Sequence, residues 1–164
     1  SDIKRAGGTA GWDGIVYPGT CRARSMSEVR PGDALRLDLA AAIEAAGPLP
    51  AFHETGPLHA GTHTIDPQGI LTRIGDPVLK RRETGDPAYH LVVTHDDAVQ
   101  EMTHVVRGAD LWHATSLHIV IQSLMDWPVP IYHHHDLIRD EAAQVLWGKR
   151  LAPMLVSALE KVSD

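Results

Sequence analysis

The chain has 164 residues, 43% hydrophobic and 22% charged, with a formal net charge of −6. That suffices for one domain with a real core, and it lacks the global basic footprint of a nucleic-acid binder. One cysteine excludes an internal disulfide framework and fits a reducing cytosol. No apolar run approaches the roughly 20 residues that span a bilayer, and the N-terminus has no signal-peptide core. The expectations are a cytoplasmic protein and no membrane partner.

Residues 1–14 carry Gly7, Gly8, Gly11 and Gly14 and little that is apolar, which predicts a flexible leading segment. Tyr17 to Cys21 (YPGTC) is a turn built around Pro18 and Gly19. Ala34 to Leu39 alternates apolar and polar residues, a half-buried strand. The alanine-rich run from Leu39 to Ala46 predicts a helix, ended by Gly47-Pro48. Residues 48–69, rich in proline and glycine and holding His53, His59 and His63, read as a loop. GDPVLKRRE at 75–83 reads as a turn, a short strand and a basic cluster. Lys80, Arg81 and Arg82 are either a solvated strand end or a contact to a phosphate backbone.

The stretch from Ala88 to Ile138 organises the chain. It predicts a strand over Tyr89 to Val93, a short helix, a strand over residues 103–108, a long helix and a final strand, IYHHHDLI. Asp110 suits the first turn of the long helix. Leu111, Ala114, Leu117, Ile121, Leu124 and Met125 recur at three- and four-residue steps, a helical apolar face. Pro128 and Pro130 stop it. Strand, helix, strand is the unit of a parallel α/β sheet, in which ligands bind at the carboxyl ends of strands. Arg107 lies at such an end and is the first candidate ligand contact. In His133-His134-His135 the alternation of a strand lets at most His133 and His135 converge. With Asp136 or another histidine they offer a metal reading; a structural or nucleotide-adjacent role is preferred. Residues 151–162 predict an amphipathic closing helix.

YHLVVTHDDAVQEMTHVVRGADL, followed by Thr115, His118, Gln122 and PVPIYHHHDLI, resembles the second half of the class I glutamyl-tRNA synthetase catalytic domain. With YPGTC upstream, the resemblance is to the short glutamyl-Q tRNA(Asp) synthetase branch of that family. It runs from about Asp13 to Ile138 and is strong from Gly75 onward. It implies that Tyr89 and Arg107 hold the L-glutamate substrate. Arginine's planar fork suits a carboxylate, and a tyrosine hydroxyl suits the amino or carboxyl end. The less favoured alternatives are a structural ion pair of Arg107 with Asp110 or Asp97, and for Tyr89 a core aromatic with a satisfied hydroxyl. Arg107→Ala is expected to abolish glutamate binding while leaving the fold largely intact.

The resemblance also makes Tyr17 and Cys21 two ligands of a zinc site. The family's upstream Cys-x-Cys has no counterpart, since Cys21 is the only cysteine, so the site is incomplete. His53, His59 or His63 are candidates to complete it, as are residues from elsewhere; otherwise YPGTC is a structural turn. TGPLHAGTH at 55–63 resembles the family's glycine-rich ATP signature imperfectly and out of place, with no apolar strand before it and no helix after it. It reads as a chance loop. The family's mobile lysine loop, which stabilises charge on ATP phosphates, corresponds to residues 144–150, where Lys149 is the surviving candidate.

The expected fold is therefore α/β, a partial Rossmann-like class I synthetase catalytic domain with parallel strands and crossover helices, its N-terminal half missing. Residues 1–74 would be a remnant of the zinc and insertion region, and residues 75–164 the second half of the catalytic domain. The implied activity is ATP-dependent, with magnesium: activation of L-glutamate and transfer to the queuosine base of tRNA(Asp). The alternatives are a non-catalytic glutamate- or tRNA-binding remnant, or a fragment of a glutamyl-tRNA synthetase. A half sheet would expose apolar surface, so a partner chain or a homodimer is expected to cover it.

Overall fold

The computed structural model describes residues 7–12 and 14–137. Lys149, the rest of the predicted lysine loop at 144–150 and the helix predicted at 151–162 lie outside the described residues.

The described residues of the leading glycine-rich segment include regular structure. β1 (Ala10–Gly11) and β2 (Gly14–Ile15) form a short antiparallel pair. Gly11 passes so close to the Arg73 carbonyl that a Cβ would collide with the oxygen, so only glycine permits the approach. β3 (Leu35–Arg36) pairs antiparallel with β6 (Val78–Lys80). Between them α1 (Leu39–Ala46) starts where Asp38 accepts the Ala41 N–H, and it ends at Gly47 with φ of 68°.

Residues 48–69 are not a loop. β4 (Phe52–Glu54) and β5 (Gly61–His63) form an antiparallel hairpin, and α2 (Pro67–Arg73) begins directly after it. A strand thus precedes TGPLHAGTH and a helix follows it. The signal was the alternation of buried Phe52, exposed His53 and buried Glu54, obscured by a carboxylate at an inward position. For α2, Asp66 accepts the Gln68 N–H and Pro67 supplies the first turn.

Tyr89 to Val93 is a second departure, helix rather than strand. It opens α3 (Tyr89–Val99). The β-branched run Val92-Val93-Thr94 suggests a strand, but inward-facing Leu91, Thr94 and Ala98 recur at helical steps, and that packing decides the element. β7 (His104–Gly108) follows, then a 3₁₀ turn (Ala109–Leu111), α4 (Ala114–Leu124) and β8 (Ile131–His135).

These elements build a four-stranded sheet in the order β5-β4-β8-β7. β7 and β8 run parallel with Arg107 opposite His134, and β4 runs parallel to β8 with Glu54 opposite Tyr132. The mixed α/β architecture with a parallel β7–α4–β8 unit is the predicted one. α4 is the central helix: Leu117, Val120 and Ile121 pack with Leu39, Ala42 and Ile70, while Ile119 packs with Phe52 and Tyr132 on the sheet. Met125, predicted on the apolar face, is the exposed C-cap. The opposite sheet face carries Val106, which is 66% exposed.

Candidate active site

The parallel register brings three strand ends together and places Glu54, Arg107 and His134 side by side beneath α4. Glu54 and His134 are each 1% exposed and Arg107 9%. The Arg107 guanidinium donates from Nε to His134 Nε2 (2.9 Å), from Nη1 to His118 Nδ1 (2.9 Å) and from Nη2 to Thr115 Oγ1 (2.7 Å). His134 Nδ1 meets Glu54 Oε2 at 2.6 Å, and His118 Nε2 meets His90 Nδ1 at 3.0 Å. The result is one line from Glu54 through His134, Arg107 and His118, all buried, to half-buried His90.

Arginine has donors only and an ionised carboxylate has acceptors only, which fixes the rings between them. His134 receives Arg107 on Nε2 and gives its Nδ1 proton to Glu54. His118 receives Arg107 on Nδ1 and gives its Nε2 proton to His90. Both rings are neutral in this arrangement. The electrostatics agree. Burial, reinforced by Arg107 and neighbouring rings, pushes His118 well below the usual imidazole range. Burial also lowers His134, with Glu54 opposing the shift. For Glu54, burial alone would raise the pKa, but hydrogen bonds from the His134 N–H, the His134 ring and the Gly56 N–H overcome it and keep the carboxyl ionised. Gly56 must be glycine here, since a Cβ would collide with the His134 carbonyl oxygen.

Arg107 is left as a buried cation with no carboxylate in direct contact among the described residues. The predicted ion pairs with Asp97 or Asp110 do not form. Asp97 interacts only at longer range, and burial raises its pKa. Burial lowers the pKa of Arg107 itself, with Tyr132, Tyr89, Asp97 and Glu54 opposing. The Tyr132 ring lies 5.0 Å from the guanidinium carbon. A guanidinium has five N–H groups. Three are engaged as described, which leaves one on Nη1 and one on Nη2 without a partner among the described residues.

Tyr89, at the start of α3, is 43% exposed and packs 5.4 Å from His90 and 6.4 Å from His118, ring to ring. It therefore borders the same cluster and is not a core aromatic. Glu54 and His90 escaped the sequence reading. Glu54 lies in a segment read as loop, and nothing in the sequence distinguishes His90 from ten other histidines. Thr115 and His118 were visible only as part of the family resemblance.

Tyr17 and Cys21 are adjacent, with the Cys21 N–H donating to the Tyr17 hydroxyl at 2.6 Å. Tyr17 lies under the Arg36 guanidinium, and Cys21 is exposed. His53 faces Thr62, His59 stacks on Trp112, and His63 bonds the His59 carbonyl. Among the described residues no group of three or more His, Cys, Asp or Glu side chains is placed to hold a metal ion. The pair Tyr17 and Cys21 does not make a tetrahedral zinc site. In β8, His134 points inward while His133 bonds Thr55 at 3.0 Å, so the three histidines do not gather. An open cavity of about 310 Å³ lies beside the cluster, lined by Trp12, Phe52, Asp66, Arg73 and Trp112 among others. Trp112 belongs to both, since its ring also meets His134 edge-on at 5.3 Å.

Residues 59–163 match the family of class I tRNA synthetases (E and Q), catalytic domain. The chain belongs to this family. Its relatives include the glutamyl-Q tRNA(Asp) synthetase of Rhodobacter capsulatus, 50% identical over 153 residues, covering 89% of this chain and 50% of the relative. That of Thiobacillus denitrificans is 38% identical over 141 residues, covering 86% and 42%. The chain thus spans about half the length of the curated relatives it matches. A glutamate-tRNA synthetase from Elizabethkingia anophelis shares the fold, with a TM-score of 0.51 at 19% identity over 93% of this chain and 30% of that one.

Proposed function

We propose that this chain is the glutamate-holding part of a glutamyl-Q tRNA(Asp) synthetase, which activates L-glutamate with ATP and transfers it to queuosine of tRNA(Asp). The observation that carries the reading is Arg107, a buried cation at a strand end without a carboxylate partner among the described residues, with two N–H groups left over. A buried charge of that kind calls for an anionic ligand. Arg107 grips one carboxylate of glutamate through those parallel N–H groups, and the Tyr89 hydroxyl holds the amino or carboxyl end. ATP with magnesium supplies the activation of the carboxylate, and Lys149 is the residue we assign to its phosphates. Residues 75–164 supply the second half of the catalytic domain, and residues 1–74 the remnant before it. Lys80, Arg81 and Arg82 lie at the end of β6, with Arg81 and Arg82 exposed, where they suit a tRNA backbone. The exposed sheet face around Val106 is where a companion chain or second copy sits. The single cysteine fits the cytoplasm, and no described helix is long and apolar enough to cross a membrane.

A second reading is a glutamate-binding unit without activation chemistry, for which the Arg107 cluster alone would suffice. Glutamate-dependent ATP–pyrophosphate exchange by this chain without tRNA separates the two. Exchange supports the synthetase. Glutamate binding without exchange supports the binding unit, and failure to bind L-glutamate overturns both.

A further inference from the structure

We propose that Glu54 is a positioning residue for Arg107: acting through His134, it dictates which ring nitrogen faces the guanidinium and so keeps the outer N–H pair of Arg107 aimed at the incoming carboxylate. The proposal rests on the glutamate reading above.

The geometry is closed on every side. Glu54 Oε1 accepts the Gly56 N–H at 2.6 Å and the His134 N–H at 2.8 Å, and Oε2 accepts the His134 ring at 2.6 Å. The carboxylate therefore locks the end of β4 to β8 and has one oxygen left for the ring. On the far side of that ring stands Arg107 Nε, 2.9 Å from His134 Nε2. A ring held between an acceptor-only and a donor-only group has one tautomer that satisfies both, the neutral Nδ1–H form. The opposite tautomer sets N–H against N–H at Arg107. The guanidinium must then turn from His134. Its contacts to His118 and Thr115 sit on the same rigid plane, so the free N–H pair turns with it.

Glu54→Gln is the isosteric test. The amide oxygen still accepts the two backbone N–H groups. The amide NH₂ then faces His134 Nδ1, and two donors cannot share that position. His134 must move its proton to Nε2, against Arg107. The Kd for L-glutamate is expected to rise about ten- to a hundred-fold, as for a buried donor left unpaired. Glu54→Asp keeps an acceptor and is expected to retain the tautomer with a smaller loss.

Ring ¹⁵N NMR of histidine-labelled protein reads the tautomer, and calorimetry with L-glutamate reads affinity. Nδ1–H at His134 in the unmodified chain and Nε2–H in Glu54→Gln, with the affinity order wild type, Asp, Gln, support the proposal. Nε2–H in the unmodified chain overturns it, and that measurement needs no variant to fold. Equal affinity loss in both variants with an unchanged tautomer also overturns it, leaving Glu54 a packing residue. If the unmodified chain binds no L-glutamate, the glutamate reading fails, while the tautomer comparison still decides whether Glu54 orients the pair.

Discussion

Arg107 on β7 and His134 on β8 stand opposite each other in the parallel register and are joined by a 2.9 Å hydrogen bond from Nε to Nε2. The contact makes Arg107 part of the core as well as the proposed ligand contact. The sequence-based expectation that Arg107→Ala leaves the fold largely intact must therefore be revised. Truncation leaves His134, His118 and Thr115 without their donor, at a cost of about 2–4 kcal/mol. Arg107→Lys is the sharper probe. It keeps the charge but loses the fork, and the Kd for L-glutamate is expected to rise about a hundred-fold or more. Calorimetry with urea unfolding of the same variant checks this. Unchanged affinity in a folded Lys variant would remove Arg107 from the glutamate site.

Stability should fall in mild acid. His118, facing Arg107, His90 and His134, and His134, facing Glu54, Arg107 and His59, both have folded pKa values below the ordinary 6.5. When pH drops below 6.5 the unfolded chain takes up protons that the folded chain refuses, so stability is lost as pH falls toward the folded values. The slope is up to about 1.4 kcal/mol per pH unit for each ring. Glu54, lowered from 4.5, adds a further loss of the same sign below that pH. Urea unfolding between pH 8 and 5 should show the decline, and His118→Gln should flatten it. A flat profile would mean that these rings are not held neutral.

The parallel unit from β7 to β8 was legible because its signals are local. A glycine ends β7, an apolar face runs along α4, and prolines precede β8. The strand at Leu35 and the helix at Leu39 were legible for the same reason. What was not legible depended on partners distant in sequence. Glu54 at an inward strand position makes sense only beside His134, 80 residues away. Its segment therefore looked like polar loop. Tyr89 to Val93 has the composition of a strand, and only its packing against α4 makes it helix. Of the candidate site, Arg107 and Tyr89 came from strand-end logic and family resemblance. His118 and His134 were visible in the resemblance and in the histidine run, but their contacts to Arg107 had no sequence signal.

Asp76 ties Arg22 to the start of α1, and its loss should be costly. It is 3% exposed. Oδ2 accepts Arg22 Nε at 3.0 Å and Nη2 at 2.7 Å, and Oδ1 accepts the Leu39 N–H at the start of α1 at 3.1 Å. Arg36 Nη1 meets the Asp76 carbonyl at 2.7 Å. Asp76→Ala removes a cap and leaves a buried N–H unpaired, for a loss of about 2–4 kcal/mol in urea unfolding. Arg22→Ala, at a half-exposed position, should cost about 1 kcal/mol or less. Equal losses would place the role of Asp76 in the ion pair instead of the α1 cap.

Gln122 on α4 reverses the usual expectation for a buried polar residue. It is 2% exposed, its Oε1 has no hydrogen-bond partner among the described residues, and its Nε2 reaches the Tyr132 hydroxyl only at 3.4 Å. The pair thus carries a desolvation cost with a weak bond in return. Replacing both ends by apolar groups of similar shape removes that cost. The double variant Gln122→Leu with Tyr132→Phe should lie within about 1 kcal/mol of the unmodified chain or above it. Losing only the hydroxyl of Tyr132 leaves a ring face still turned toward Arg107. By contrast Leu117→Ala, at a 1% exposed core position of the same helix, should cost about 2–5 kcal/mol. Urea unfolding of the two variants side by side makes the comparison. A loss above about 2 kcal/mol in the double variant would show that Gln122 Oε1 is satisfied in solution by a bound water or by a neighbour beyond the described residues.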